Sequence, residues 1–291
     1  MFASVNGTKL FFDIDGAGYV KENEELKEKP VCFVLHGGPG GTHGNFKPYL
    51  DALTETIQLV YIDNRGSGFS EAGSPETYTL ENNIEDIEAL RQYLGLDKIW
   101  LLGHSYGGMV ALSYALRYQE NLAGLLLITT SPSHRFIEKA KRYVEERGTE
   151  KQIEMASILW EGAFESLEQL NQYYEVMEPL YSVKGSGIEA KSPVAVQARV
   201  NRSYQALNNG FGGFLREFDL INDLPQINVP TLVIAGRHDW ITPVEENEII
   251  HQQIQNSQFI IMENSSHSVF KDENEKAIQS IIQFVNNIRF N

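Results

Sequence analysis

Apolar positions along this chain recur with two periods and alternate between them. Residues 2–5 and 9–13 flank Asn6-Gly7, a pair suited to a tight hairpin turn, so the sheet is predicted to begin antiparallel. Short apolar runs follow at 31–35, 57–62, 98–102, 124–128, 230–236 and 257–262, each the length of a buried strand. Between them lie helical patterns: Ile84, Ile87, Leu90 and Leu94 share one face of a helix over 82–94, and 108–116 reads as a buried helix. Near the end, Ala277-Ile278, Ile281-Ile282 and Phe284-Val285 form the apolar stripe of an amphipathic helix. Strand–helix alternation predicts an α/β class with a mostly parallel central sheet flanked by helices. From 131 to 221 strand signals vanish, and charged and aromatic residues such as Trp160, Phe164, Tyr173, Tyr174 and Tyr204 take helical spacing. The prediction is therefore a core of 1–130 and 222–291, interrupted by a helical cap at 131–221. The charge-rich segment 21–29 is expected to be a solvated loop.

One junction carries chemistry. Gly103-His104-Ser105-Tyr106-Gly107 falls between the strand at 98–102 and the helix at 108–116, so Ser105 is presented on a sharp strand-to-helix turn whose flanking positions have no room for side chains. A serine hydroxyl needs a base, and the order expected downstream of such a turn is an acid and then a histidine. Asp239 lies in the loop closing the strand 230–236, and His267 in the loop after 257–262. Both are strand ends, where open α/β sheets gather their sites. Ser105, Asp239 and His267 are the candidate catalytic residues.

Of the seven histidines, the others read as structural or solvated. His104 abuts Ser105 and points away from it, and His238 precedes the acid on its own loop. His134 and His251 fall in helical text, and His36 and His43 flank a glycine loop without a nearby carboxylate. Their spacing is not that of a helical metal pair, so no metal and no cofactor is expected. That glycine loop, His36-Gly37-Gly38-Pro39-Gly40-Gly41, follows the strand 31–35, and its missing side chains allow backbone N–H groups to approach a substrate oxygen. Gly38 and Tyr106, the residue after the serine, are the expected oxyanion-hole donors. A phosphate-loop reading fails because no Gly-Lys-Ser/Thr follows, and Gly-x-Gly-x-x-Gly spacing is not completed either here or at Gly66-Ser67-Gly68.

The loop His36 to Gly40, the segment Asp63-Asn64-Arg65-Gly66-Ser67-Gly68-Phe69-Ser70, the turn at Ser105 and the loops around Asp239 and His267 together resemble an α/β-hydrolase of the proline iminopeptidase family. The resemblance implies an α/β-hydrolase fold, a serine hydrolase with a helical cap, and activities covering aminopeptidases, amidases and esterases. It also implies that aminopeptidase members hold the substrate's free amine with two glutamates, one directly after the catalytic aspartate and one in the cap. Here Trp240 occupies the first position, and the best match to the second is Gly210-Phe211-Gly212-Gly213, without a carboxylate. An unpaired buried ammonium is costly, so a pocket without those acids disfavours an amino-terminal substrate unless Glu161, Glu178 or Glu217 substitutes. Trp240 and Phe46 are expected near the mouth of an apolar substrate pocket.

Composition narrows the classes further. At 291 residues and 42% hydrophobic the chain can bury a large core, and 24 basic against 39 acidic residues give a net charge of −15. That balance argues against nucleic acid or an anionic membrane as partner, and the expected partner is a small molecule or short peptide. The single cysteine, Cys32, sits inside an apolar strand. No run reaches the ~20 apolar residues of a membrane span, so a cytoplasmic location is expected. Three readings follow: a hydrolase of small esters or amides first, an aminopeptidase releasing an N-terminal residue second, and a non-catalytic ligand-binding homologue third.

Overall fold

The computed structural model describes residues 1–22, 24–185 and 201–289. Its strands are β1 (Phe2–Val5), β2 (Thr8–Asp15), β3 (Tyr19–Glu22), β4 (Glu25–Glu28), β5 (Val31–Leu35), β6 (Gln58–Ile62), β7 (Ile99–His104), β8 (Leu122–Ile128), β9 (Thr231–Gly236) and β10 (Ser257–Met262). Eight of them form one sheet in the order β1-β2-β6-β5-β7-β8-β9-β10. The hairpin β1–β2 turns at Asn6 and Gly7, both at positive φ, and β2 joins β6 antiparallel; the other pairings within this sheet are parallel. The chain therefore has the α/β-hydrolase fold that the resemblance implied.

The strands read as unbroken apolar runs because both faces of the sheet are covered. In β5, Phe33 and Leu35 face one layer and Cys32 and Val34 the other; in β6, Val60 and Ile62 oppose Leu59 and Tyr61 in the same way. The first layer contains α1 (Leu80–Tyr93) and α2 (Tyr106–Tyr118), and the second α9 (Asn274–Arg289) through Ala277, Ile278, Ile281, Phe284 and Val285. Helix α1 begins two residues before the predicted start because the Thr79 side chain accepts from the Asn82 N–H and caps it there.

The expected solvated loop at 21–29 is corrected. Tyr19–Glu22 and Glu25–Glu28 pair as a separate antiparallel ladder. Its charged residues conceal it because neither face of this ribbon is buried, so no period of two is imposed on the sequence.

Between β8 and β9 the described residues hold α3 (Phe136–Arg147), α4 (Glu150–Glu161), α5 (Leu167–Tyr181) and α6 (Tyr204–Phe211); part of the expected cap, 186–200, lies outside them. The two ends of this excursion run side by side: Ser133 bridges Asp219, and the Leu220 N–H donates to the Pro132 carbonyl at 2.9 Å. After β9 come α7 (Val244–Gln253), then β10, and the short α8 (Val269–Asp272) leading into α9.

Candidate active site

Four loops at the carboxyl ends of β5, β7, β9 and β10 converge on one cavity of about 550 Å³, which Gly38, Ser105, Tyr106 and His267 all line. Ser105 stands between β7 and α2 with φ 56° and ψ −122°, a conformation that a non-glycine residue adopts only when its surroundings force it. Those surroundings are the packed turn: a Cβ on Gly103 would sit 2.3 Å from the Gly107 carbonyl oxygen, and one on Gly107 2.2 Å from that of Leu35. The serine backbone is pinned by its N–H to the Ile128 carbonyl (3.0 Å) and by the Thr130 hydroxyl donating to its own carbonyl (2.7 Å).

His267 is 4% exposed, and its Nδ1 meets Oδ2 of Asp239 at 2.8 Å. A carboxylate only accepts, so Nδ1 carries the proton and Nε2 is left with a free lone pair. Asp239, itself buried, cannot turn away: Oδ1 accepts from the N–H groups of Ile241 (2.9 Å) and Thr242 (3.0 Å), and Oδ2 from the Thr242 hydroxyl (2.9 Å). The only sign of Thr242 in the sequence is its place before Pro243, where the acid's loop closes.

The glycine loop presses against the serine, since a Cβ on Gly37 would lie 3.0 Å from that of Ser105. Gly38 has φ +126°, and a Cβ there would approach the Gly40 nitrogen to 2.7 Å. Tyr106 is the first residue of α2, so its N–H has no intrahelical acceptor. The N-terminus of α2 thus stands at Ser105, a setting that favours negative charge.

The histidines outside this site are structural, with corrections at His43, His134 and His251. His43 does have a carboxylate: its Nδ1 lies 2.9 Å from both oxygens of Asp63, and its N–H donates to Oδ1 at 2.7 Å. The pair is twenty positions apart in sequence, and the β5–β6 pairing brings it together. His36 is fixed nearby, Nε2 accepting from the Asn64 N–H and Nδ1 donating to the Gly37 carbonyl. His134 lies in a turn before α3 and meets the Phe218 carbonyl, and His251 meets Ser257, so neither is simply solvated. His104 donates from Nε2 to the His267 carbonyl at 3.1 Å. Among the described residues no group of His, Cys, Asp and Glu is arranged to hold a metal ion.

Phe46 lines the cavity as expected, whereas Trp240 does not. Tyr181, arriving from α5, meets the indole edge-on at 5.3 Å and takes the place at the wall, with Trp160 packed against the indole at 6.1 Å. Much of the wall is buried and apolar, including Met109, Phe136, Leu159, Leu207 and Phe211. Of the three glutamates considered as amine anchors, Glu178 lines the cavity and is paired with Lys271 at 3.0 Å. Glu161 lines a separate shallow groove, and Glu217 is exposed away from the cavity.

Burial gives a testable pH dependence. It is the largest effect on His104, whose pKa falls to about 3 with His267 adding to the shift, and it also lowers that of His36. Both are neutral when folded, and in the unfolded chain they regain an ordinary imidazole pKa of about 6.5. Their contribution is thus complete above pH 6.5 and is lost as pH falls toward the folded values, by up to about 1.4 kcal/mol per pH unit per histidine. Urea unfolding between pH 7.5 and 5 should show stability declining below 6.5, with a shallower decline in His104→Asn. A flat profile in the wild type would contradict this assignment.

The profile of the α/β hydrolase fold family matches residues 30–274. A proline iminopeptidase of Pestalotiopsis fici is 32% identical over 289 residues, spanning 96% of this chain and 97% of its own. One from Saccharolobus solfataricus is 33% identical over 265 residues, spanning 88% and 84%. The structure of a Mycobacterium smegmatis proline iminopeptidase superposes with a TM-score of 0.78 over 99% of this chain and 98% of that one, at 19% identity, which bears on the fold alone. The chain belongs to the α/β-hydrolase fold family, as a proline iminopeptidase-like serine hydrolase.

Proposed function

We propose that the protein cleaves small esters or amides by acyl transfer through Ser105, with His267 as general base and Asp239 orienting it. The observation that carries this reading is the buried 2.8 Å bond from His267 Nδ1 to Asp239, at the edge of the cavity that also receives Ser105. His267 takes the hydroxyl proton as Ser105 attacks the carbonyl, and the N–H groups of Gly38 and Tyr106 receive the oxyanion. The leaving group departs with the proton from His267, and water then releases the acyl group from Ser105 by the same route. In this reading residues 131–221 form the cap. Its described helices supply Phe136, Leu159, Leu207 and Phe211 to the cavity, an apolar lining suited to an uncharged acyl group. Among the described residues no helix is long and apolar enough to cross a membrane. The one thiol, Cys32, is buried, and the proposed site of action is the cytoplasm.

A second reading, release of an amino-terminal residue, is favoured by two cavity-lining carboxylates one helical turn apart on α5, Glu175 and Glu178. Against it stands the Lys271 ammonium already paired with Glu178. The comparison that decides is kcat/KM for a free-amine prolyl or alanyl arylamide against its N-acetyl form, which share a leaving group. The acyl reading expects the masked amine to be preferred by about tenfold or more, an advantage of about 1.4 kcal/mol. A tenfold preference for the free amine would establish the exopeptidase.

A further inference from the structure

The loop carrying His267 is bonded on both sides of the histidine to the end of a helix that roofs the cavity. Helix α5 contributes Asn171, Tyr174, Glu178 and Tyr181 to the cavity wall and stops at Ser182. The last carbonyls of a helix have no donor within it. Here two of them are met by the neighbours of His267: the Ser266 hydroxyl donates to the Leu180 carbonyl, and the Ser268 N–H to that of Tyr181 at 2.9 Å.

A single carboxylate completes the connection. Asp272, at the end of α8, is 2% exposed, and both its oxygens are shared. Oδ1 accepts from the Ser182 hydroxyl (2.6 Å) and the Lys184 N–H (3.3 Å), and Oδ2 from the N–H groups of Val183 (3.2 Å) and Ser266 (2.9 Å). Three of these donors belong to the segment just past α5, and the fourth is the residue before His267. The two from the Ser182 hydroxyl and the Ser266 N–H are the short ones, and taking a carboxylate out of water without such partners would be costly. On the other side, the His267 carbonyl accepts from His104 Nε2 and from the Thr129 hydroxyl, both at 3.1 Å, which ties the same backbone to the ends of β7 and β8. The Tyr181 ring meets the imidazole edge-on, centroids 5.6 Å apart.

We propose that Asp272 is a positioning residue for the general base: it couples the seating of α5 over the substrate to the placement of the His267 imidazole beside Ser105. A ligand that contacts Tyr174, Glu178 or Tyr181 bears on α5, and the carboxylate passes the position of that helix to Ser266 and so to His267. The proposal rests on His267 being the base. It assigns Asp272 no contact with the substrate.

The test is Asp272→Asn. The amide keeps one accepting oxygen, and in either orientation its NH2 group faces two of the four donors. Turnover is to be counted per site titrated with a fluorophosphonate, so that misfolded molecules drop out. The expected result is a kcat per titrated site about 10- to 100-fold lower with KM little changed, the scale of loss that a misplacement of ~1 Å produces. Ser182→Ala, which removes one donor and leaves three, should show a smaller loss of kcat in the same direction. A purely structural role would lower Tm and the titratable fraction and leave kcat per site at the wild-type value, which would overturn the proposal. Should Asp272→Asn fail to fold, Ser182→Ala decides: an unchanged kcat per site overturns, a reduced one supports. His267→Ala separates the two levels of the argument. Substantial turnover in that variant would remove the reading of the base itself, whereas an inert His267→Ala beside a fully active Asp272→Asn would remove the coupling alone.

Discussion

Replacing Ser105 with alanine should lower kcat by ~10⁴-fold or more while the protein still folds. The substitution deletes one oxygen and keeps the Cβ, so the turn retains the contacts that force its backbone. Those contacts come from Ile128, Thr130 and the glycine flanks and involve no serine hydroxyl. Substrate should still enter the cavity, because the apolar walls and the N–H groups at Gly38 and Tyr106 are untouched. The loss should therefore appear in kcat, with a thermal midpoint close to that of the parent. Near-native turnover in a preparation free of wild-type protein would overturn the assignment of the whole site.

Asp239→Asn should cost a comparable amount, ~10⁴-fold, for a reason visible in the hydrogen bonds. The N–H groups of Ile241 and Thr242 both point at Oδ1, so the new side chain must keep its carbonyl oxygen there and turn its NH2 group toward His267. Nδ1 then has to accept, the proton moves to Nε2, and the nitrogen proposed to take the Ser105 proton no longer has a lone pair. The imidazolium formed during attack also loses its counter-charge. Folding should survive, since the amide nearly matches the carboxylate in shape and keeps both backbone bonds. Measured kcat, with far-ultraviolet circular dichroism and Tm alongside, checks both parts. Full turnover would mean that another strand end supplies the acid. The sequence offers Asp86, Asp97 and Asp219 as rival acids, of which Asp86 is paired with Arg65 and Asp219 with Arg135.

How far these residues were legible depended on whether their constraint is local. The elbow at Ser105 was legible because the close approach of Gly103 and Gly107 to neighbouring backbone is a steric demand that the sequence records as glycine. β10 was legible to the residue, its apolar run being bounded by turn residues at both ends. Trp240 was misplaced because the residue that screens it, Tyr181, arrives from 59 positions away, and only the fold brings the two rings together. The His43–Asp63 pair and the Asp272 hub were invisible for the same reason. Lys271-Asp272-Glu273 reads as an ordinary solvated charge run, and nothing local shows that its middle carboxylate is buried under the end of α5. Long-range polar contacts leave no periodicity, whereas buried strands and tight turns do.

A serine nucleophile activated by a histidine base reacts covalently with an electrophilic phosphorus centre, so labelling reads the roles of Ser105 and His267 without a substrate. The chain is treated with a fluorophosphonate, and its intact mass and peptide map are recorded for the wild type, Ser105→Ala and His267→Ala. The expected result is one adduct per wild-type chain, located on Ser105, none on Ser105→Ala, and labelling of His267→Ala slowed by orders of magnitude. Equal labelling of Ser105→Ala, or an adduct mapped to any other residue of the wild type, would contradict it.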